Sequence, residues 1–445
     1  MKKTTPLFSR TQPYLCRALF FLLFLLSALC CCLFGNHSAY GSDDDIRDQL
    51  IEELKKQENL DRVLLLDGRI FQGEVDVDGE TVSVKEQFGH SGYLSTSFHR
   101  DEIADITFAR PIDYTVTAEE IAIKREFPDF HIMKRERYTF FTSEDFFFIE
   151  RVVYALEELA NGVCEEFDAF FTDNGRTGVR CYVVVLSSRD VYREYVRRYA
   201  PALEYSSGHY DFQRSRLVLF NQFGGEDYAG FQEEVRKQEG ELDRLETRLK
   251  KSDKLNTLYK KRMQKKIQGA RRQTKALSVR TSLQMRGRTI QLIRHEGAHQ
   301  LFHASGLHQT SLAKRPWFLE GLACFCETPA TGGINRRRLE VVQRAIEDGQ
   351  TIPLAVLLDD VRNERDVLSL GEGGIELFYA QSWSFAYFLM NAHKEAFFQF
   401  IRRINQRAWP WDFFWEEPHR ALLAKTLGTS SEELETEWLY FVAAL

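Results

Sequence analysis

The residues with the clearest chemical meaning are the five from 295 to 299, which read His-Glu-Gly-Ala-His. Two histidines four positions apart project from the same face of a helix, one turn from each other. This spacing allows both imidazoles to bind one zinc ion, with Glu296 beside them to accept a proton from water at the metal. The flanking sequence predicts a helix, because apolar residues recur on both sides of the motif without a proline.

A catalytic zinc site needs a third protein ligand and one coordination position open to water. In one common arrangement a third histidine follows six residues after the second, but Ser305 stands at that position. In another arrangement a second helix further along the chain supplies a glutamate. The segment from Pro316 to Ala323 fits this second arrangement, with Glu320 as the expected third ligand.

These two motifs together resemble those of the gluzincin metallopeptidases. The chain resembles most closely the uncharacterised bacterial peptidase-MA-like domain family of that group. The block from Phe378 to Phe385 is similar to the helix that follows in this family, and residues 427–434 with Trp438 look like its closing helix pair. The resemblance covers residues 135 to 445, apart from one insertion.

The resemblance implies a zincin-like α+β fold with a Zn²⁺ ion held by His295, His299 and Glu320. It implies Glu296 as the general base of peptide hydrolysis, with a peptide or protein as the substrate. Tyr379 is a candidate for stabilising the oxyanion of the transition state. A helical tyrosine beside large aromatic residues is, however, more often a packing residue.

The sequence departs from the gluzincin pattern one turn after Glu320. Gluzincins often place a carboxylate there to orient a histidine, whereas this chain has Cys324. Glu327, one turn further, or a backbone carbonyl is the alternative partner. Cys324 is either a metal ligand or a small buried residue, and the second is the commoner use of a helical cysteine. His303 lies one turn beyond His299, too far from His295 for one ion to bind all three, so we expect it to be a supporting or incidental residue.

The N-terminal residues predict export. Basic residues precede an apolar run from 18 to 34, and Ala39-Tyr40-Gly41 follows, which predicts a secretory signal peptide over residues 1–41. The run also reaches the lower length limit of a membrane span, so an uncleaved anchor is the alternative. We therefore expect a periplasmic, cell-envelope or extracellular protein that is bound to the membrane only if this segment is retained. An oxidising compartment would permit a disulfide between Cys164 and Cys181, without fixing the pairing.

Composition is that of an ordinary globular protein, with 44% hydrophobic and 28% charged residues in a chain of 445. The net charge of −6 does not favour nucleic acid as a partner. Apolar periodicity and turn signals divide the chain into the following segments: residues 42–60, a charged helix or linker; 61–110, a small all-β barrel similar to Sm-like or SH3-like modules; 111–134, a linker; 135–225 and 289–445, the zincin-like domain with a mostly helical C-terminal subdomain; and 226–288, an inserted basic helical hairpin. The small barrel is expected to have five short strands, with turns at Asp67-Gly68 and Asp78-Gly79. The hairpin is expected to break near Ser252 and Asp253.

Two segments allow alternative interpretations. Arg216 to Phe220 is either an edge strand that pairs with a substrate backbone, approached by the loop 208–210, or an ordinary interior strand. Residues 231 to 288 contain 18 Lys or Arg against 7 Asp or Glu. This segment is either an arm that binds an anionic surface or a protein partner, or a solvated hairpin, and composition favours the second.

The sequence therefore favours an exported zinc metallopeptidase. The alternatives are a catalytically silent protein that uses a zincin fold for binding, and a structural protein of the cell envelope.

Overall fold

The computed structural model describes most of the chain beyond residue 41. The described residues are 42–56, 60–66, 69–88, 92–107, 112–144, 146–170, 180–222, 226–252, 256–308, 316–358, 371–406 and 419–445. The predicted signal segment, the predicted turn at Asp67-Gly68 and the aromatic segment 409–415 lie outside them. The fold is a mixture of helices with two five-stranded sheets.

The first sheet is antiparallel and lies near the start of the chain. Its strands are β1 (Asp61–Leu65), β2 (Ile70–Asp78), β3 (Thr81–Phe88), β4 (Gly92–His99) and β5 (Ile103–Thr107), in the order β4-β3-β2-β1-β5. The predicted turn between β2 and β3 directly follows Asp78 and consists of Gly79 and Glu80, with Gly79 at a φ of 58°, a conformation that favours glycine. The five predicted strands are therefore present. The predicted closed barrel is wrong, because no hydrogen-bonded pairing joins β4 to β5 in the described residues and the sheet stays open.

The second sheet is mixed and lies beside the candidate metal centre. Its strands are β6 (His131–Lys134), β7 (Tyr138–Thr142), β8 (Cys181–Leu186), β9 (His209–Asp211) and β10 (Arg216–Phe220), in the order β6-β7-β8-β10-β9. Strands β7, β8 and β10 run parallel, and the two outer strands are antiparallel to their neighbours. Strand β10 is paired on both sides, so its interpretation as the edge is wrong. The edge strand on this side of the sheet is β9, at residues where a loop was expected.

Helices cover both faces of this second sheet, which explains the continuous apolar sequences of its strands. On β8, Val183 and Val185 face one core, and Val184 and Leu186 face the other. The second core contains residues from α1 (Asp43–Lys56), α2 (Ala118–Glu126) and α4 (Arg189–Tyr199), while α3 (Phe146–Glu166) packs in the first. The sheet is therefore a rigid support that is buried on both sides.

An antiparallel helical hairpin connects this sheet to the metal motif. Helix α5 (Glu226–Lys251) is followed by α6 (Thr257–Ala304), whose 48 residues make it about 72 Å long. Arg271 on α6 pairs with Asp243 and Glu246 on α5, which fixes the two helices against each other. The predicted break in the hairpin falls between Lys251 and Thr257. Because α6 is one continuous helix, the basic segment and the metal motif belong to the same rigid element.

The described residues after α6 form helices and connecting turns. The helices are α7 (Pro316–Phe325), α8 (Arg336–Glu347), α9 (Leu354–Leu357), α10 (Gly371–Ala392), α11 (Lys394–Gln406), α12 (His419–Leu427) and α13 (Ser431–Ala443). Trp317, Trp383 and Trp438 are fully buried among them. A capping box from Ser430 and Glu433 begins α13. The predicted mostly helical C-terminal subdomain is therefore present.

The structure contains no disulfide among the cysteines that it describes. Cys164, Cys181, Cys324 and Cys326 are all free thiols in this structure. Within the described ranges, none of the helices has the length and apolar character needed to cross a membrane.

Candidate metal centre

The last turns of α6 carry the histidine motif into the protein interior. His295 and His299 are both buried, and Ile293, Ala298 and Phe302 fix the other side of the helix in the main core. Gly297, in the middle of the motif, allows α6 to approach α3 closely. A Cβ at this position would lie 2.6 and 2.8 Å from two leucine side chains of α3. A side chain at position 297 would therefore require the ends of these two leucine side chains to move.

Helix α7 brings Glu320 to the two histidines. Its next residue, Gly321, lies against the backbone of α10, where a Cβ would be 2.6 Å from the carbonyl oxygen of Ser382. This close approach fixes the position of α7 relative to α10. Except for Glu320, whose side chain is partly exposed, every residue from Pro316 to Phe325 is buried. The carboxylate is therefore the polar group that this helix presents to α6.

The three predicted ligands converge. An oxygen of Glu320 lies 3.0 Å from Nε2 of His295 and 3.7 Å from Nε2 of His299. Ligand atoms of all three residues lie within 4.8 Å of one another. Two imidazole nitrogens and one carboxylate oxygen are a donor set that catalytic zinc sites use, and the first requirement for binding the ion is thus met.

A second carboxylate holds the outer nitrogen of His295. Nδ1 of His295 lies 3.0 Å from Glu327, which also accepts hydrogen bonds from Gln291 at 2.7 Å and from Asn335 at 2.8 Å. The guanidinium group of Arg338 donates two further hydrogen bonds to Glu327. A carboxylate on the outer nitrogen fixes the ring orientation of a metal-binding histidine and strengthens it as a ligand. Of the two partners that the sequence left open, Glu327 takes this position.

The charges around the centre favour a bound cation. Burial opposes ionisation of Glu320, yet the neighbouring His299 and His295 lower its pKa below the ordinary value. Burial also opposes ionisation of Glu327, but its bond to His295 and the charge of Arg338 lower its pKa to about 2. Burial would lower the pKa of His295, but its hydrogen bonds to Cys324, Glu320 and Glu327 raise this pKa well above its usual range. A proton on His295 thus balances the negative charge of the two carboxylates. A metal ion that displaced this proton would balance the same charge.

Glu296 faces the edge strand β9. Its Oε2 accepts a hydrogen bond from the backbone N–H of Tyr210 at 3.2 Å. Burial raises the pKa of Glu296, while the nearby His295 and His299 lower it in part. A carboxylate with a raised pKa is better suited to accept and return a proton near neutral pH. No spacing or motif in the sequence indicates that β9 holds this residue.

Tyr379 lies beside His295, whereas the side chain of His303 is bonded to the edge strand β9. The ring of Tyr379 lies 6.2 Å from that of His295, and the guanidinium of Arg338 lies 5.7 Å from the tyrosine ring. Tyr379 on α10 therefore lies beside the candidate site. His303 instead makes a 2.8 Å hydrogen bond with the hydroxyl of Tyr210 and is not among the three converging ligands.

Cys324 lies on the side of His295 away from the other two ligands. Its Sγ is 3.8 Å from Nδ1 of His295, and burial raises the pKa of the thiol to about 11. His295, Cys324 and Glu327 also place ligand atoms within 4.8 Å of one another. Arg338, however, already supplies a positive charge to Glu327, so a cation at this second group would meet electrostatic repulsion. The group of His295, His299 and Glu320 is the better metal site.

Three features of the centre were missed from the sequence. Arg338 and Asn335 reach Glu327 from the start of α8, where Asn335 also caps the helix. Gln291 precedes His295 by one turn on α6, and this spacing is the signal that could have indicated it. His308 is fully buried 6.0 Å from the ring of His299, and its ring nitrogens have no hydrogen-bond partner among the described residues. Nothing in the sequence around His308 points to this position.

Comparison with known protein families gives a match over the region that contains the candidate metal centre. A family model described as a protein of unknown function (DUF1570) matches residues 289–412. The match covers less than a third of the chain and contains the motif 295–299, Glu320, Glu327, Arg338 and Tyr379. No curated protein matches the chain. The family description names no activity, so a function has to be argued from the site itself.

Proposed function

We propose that this protein is a zinc-dependent metallopeptidase of the gluzincin type. The observation that carries the proposal is the convergence of His295, His299 and Glu320 from two helices, with Glu327 holding the outer nitrogen of His295. A degenerate site would have no need of His299, Glu320 and Glu327 arranged around His295. The combination of ligands, an orienting carboxylate and Glu296, which is not one of the ligands, is that of a site that activates water.

The finer fold assignment rests on the same elements. A zincin-like arrangement places the motif helix beside a sheet whose edge strand faces the cleft. Here Tyr210 on the edge strand β9 contacts Glu296 on α6, and Glu320 approaches from the following helix. This arrangement supports the gluzincin assignment and supplies, beside the general base, a strand edge that is unpaired among the described residues.

Each residue then has a distinct task in peptide hydrolysis. His295, His299 and Glu320 would hold the zinc ion, which when bound lowers the pKa of water and polarises the substrate carbonyl. Glu296 accepts a proton from the attacking water and returns it to the leaving amine. Tyr379 donates a hydrogen bond to the oxyanion that develops on the former carbonyl. Glu327 keeps His295 in the ring orientation that directs Nε2 towards Glu320.

The substrate class is inferred from the type of site, and the location is inferred from the N-terminal sequence. A site of this kind acts on a peptide or protein, and the N-terminal sequence favours action outside the cytoplasm. We therefore propose an exported enzyme with polypeptide substrates.

The test measures metal content and hydrolysis separately. The full chain is loaded with zinc, and its metal content is measured beside its activity on a mixed library of quenched fluorescent peptides. We expect the wild type to bind one zinc and to cleave. Glu296→Gln should keep the zinc and lose activity by about a hundredfold or more. His299→Ala should lose both, whereas His303→Ala, one turn along the same helix, should keep the zinc.

Three results would contradict the proposal. Wild-type hydrolysis by the Glu296→Gln protein would show that this glutamate is not the base. A folded, zinc-loaded wild type that cleaves no peptide in the library would favour the alternative of a silent binding protein. A His303→Ala protein that loses its zinc while His299→Ala retains it would reject the ligand set.

A further inference from the structure

Helix α6 has two different faces along the hairpin. The inner face packs on α5, with Ile267 buried, Arg271 paired with Asp243 and Glu246, and Thr274 hydrogen-bonded to Gln238. The opposite face, here called the outer stripe, repeats at alternating intervals of four and three residues and consists of Leu258, Arg262, Lys265, Gly269, Arg272, Ala276, Val279, Leu283, Arg286 and Ile290. Every one of these ten residues is exposed. No described element of the chain covers the outer stripe.

The charge of this helix is one-sided. From Asn256 to Arg294 the sequence contains no Asp or Glu, while eleven Lys or Arg lie between residues 256 and 288. Within the part of the chain that the structure describes, Arg271 is the only one of these eleven with a carboxylate partner. The acidic residues of α5 therefore do not neutralise the outer stripe. Unpaired cations along a rigid helix produce a positive potential that attracts an anionic surface.

Apolar side chains lie between the cations of the outer stripe. Leu258 is 78% exposed, Val279 50%, Leu283 59% and Ile290 41%. A soluble polyanion such as an acidic polysaccharide would gain nothing from large aliphatic groups. A bilayer with anionic headgroups takes both kinds of side chain, because the cations meet the headgroups and the aliphatic groups enter the boundary with the acyl chains.

A second copy of the same stripe is a poor partner. A coiled coil needs apolar residues at these alternating positions, and like charges there oppose pairing. Arg262, Lys265, Arg272 and Arg286 occupy four of the ten positions. Two outer stripes would therefore bring cations against each other.

We propose that the outer stripe of α6 docks this protein onto an anionic lipid surface. From Leu258 to Ile290 the stripe extends about 48 Å along the helix axis. The same helix continues to the candidate metal centre, and Leu283 precedes Glu296 by about 20 Å along the axis. Docking would thus hold the centre close to the lipid surface, where membrane-associated polypeptides are accessible. The docking itself does not depend on the metal or on catalysis.

The test is sedimentation of the full chain with vesicles of two compositions. One vesicle type is pure phosphatidylcholine and the other contains phosphatidylglycerol in addition, each at low and at high salt. The apolar segment 18–34 is common to all variants, and its contribution is measured with the neutral vesicles. We expect the wild type to bind the anionic vesicles more tightly than the neutral ones, and the difference to shrink at high salt.

Three variants separate the contributions. Lys265→Gln, Arg272→Gln and Arg286→Gln together should weaken binding to anionic vesicles about a hundredfold, since each cation at the surface contributes a factor of about five. The matched control removes three exposed cations from α5, by Lys237→Gln, Arg244→Gln and Arg248→Gln, and should leave most of the binding. Val279→Ser with Leu283→Ser should weaken the binding that persists at high salt. Helix content by circular dichroism verifies that each variant is folded.

Four outcomes would overturn the proposal. Equal binding of the wild type to both vesicle types would show that the anionic headgroups are irrelevant, and equal losses in the α6 and α5 triple variants would show that only net charge matters. Unchanged binding of the Val279 and Leu283 variant would favour a soluble polyanion. A dimer that dissociates in the α6 triple variant, without vesicle binding, would identify a second copy as the partner.

Discussion

Glu327→Gln is the most informative single change, because it preserves the shape of the side chain and removes its charge. The folded protein lowers the pKa of this buried carboxyl from its ordinary value of 4.5 to about 2. This difference corresponds to about 3 kcal/mol of stability at neutral pH. Since the pKa is lower in the folded state, the contribution is complete above pH 4.5 and is lost as the pH falls towards 2. We therefore expect the variant to lose about 3 kcal/mol at pH 7 and much less near pH 3.

The same substitution should weaken metal binding. An uncharged amide holds Nδ1 of His295 less strongly than the carboxylate does, and loss of such a partner lowers metal affinity by about 10- to 100-fold. Urea unfolding of the metal-free protein, followed by tryptophan fluorescence, measures the stability. Competition with a chromogenic chelator measures the zinc affinity.

Arg338→Gln provides the control that separates the two effects. In the single Glu327→Gln variant the guanidinium of Arg338 is left without its counter-charge. The double variant contains neither the carboxylate nor the guanidinium, so no buried charge is left without a partner. We therefore expect part of the stability to return while zinc affinity stays low. The reasoning is refuted if Glu327→Gln binds zinc as tightly as the wild type, or if the second substitution restores zinc affinity together with stability.

Three further predictions address the packing, the protonation and the chemistry of the centre. Gly321→Ala should lower the free energy of unfolding, measured with urea, by about 1–3 kcal/mol, because the new Cβ meets the Ser382 carbonyl. Gly297→Ala should lower it less, because its Cβ meets only flexible side-chain ends and the helix gains about 1 kcal/mol of helix propensity. Equal losses in the two variants would contradict this. Zinc affinity should keep rising with pH above 6.5, the ordinary pKa of histidine, because the raised pKa of His295 lets protons compete with the metal. Chelator titrations at several pH values measure this dependence, and a flat profile above pH 6.5 would show that the prediction is wrong. Tyr379→Phe should keep its zinc and lower kcat about a hundredfold with little change in KM; an unchanged kcat would assign the tyrosine to packing.

The sequence predicted the local elements of the candidate site well. The spacing of His295 and His299 depends only on the period of a helix, so it could be interpreted without knowing the rest of the fold. The Asp-Gly turn and the alternation of the first sheet are equally local, and all five strands were expected. The alternatives for the outer nitrogen of His295 included Glu327, although this residue lies two positions past the end of α7 and not on the helix.

Tertiary structure decided what the local patterns left open. Strand β10 has the same apolar sequence whether it lies at an edge or in the interior, and only the pairing of β9 beside it settles which. A closed barrel and an open sheet share the same alternating strands, because closure depends on contact between strands distant in the chain. Arg338 reaches Glu327, and Tyr210 reaches Glu296, through packing of elements that no short-range spacing relates. Helical and strand periods are properties of neighbouring residues and can be read along the chain, whereas the partners of a buried charge are selected by the whole fold.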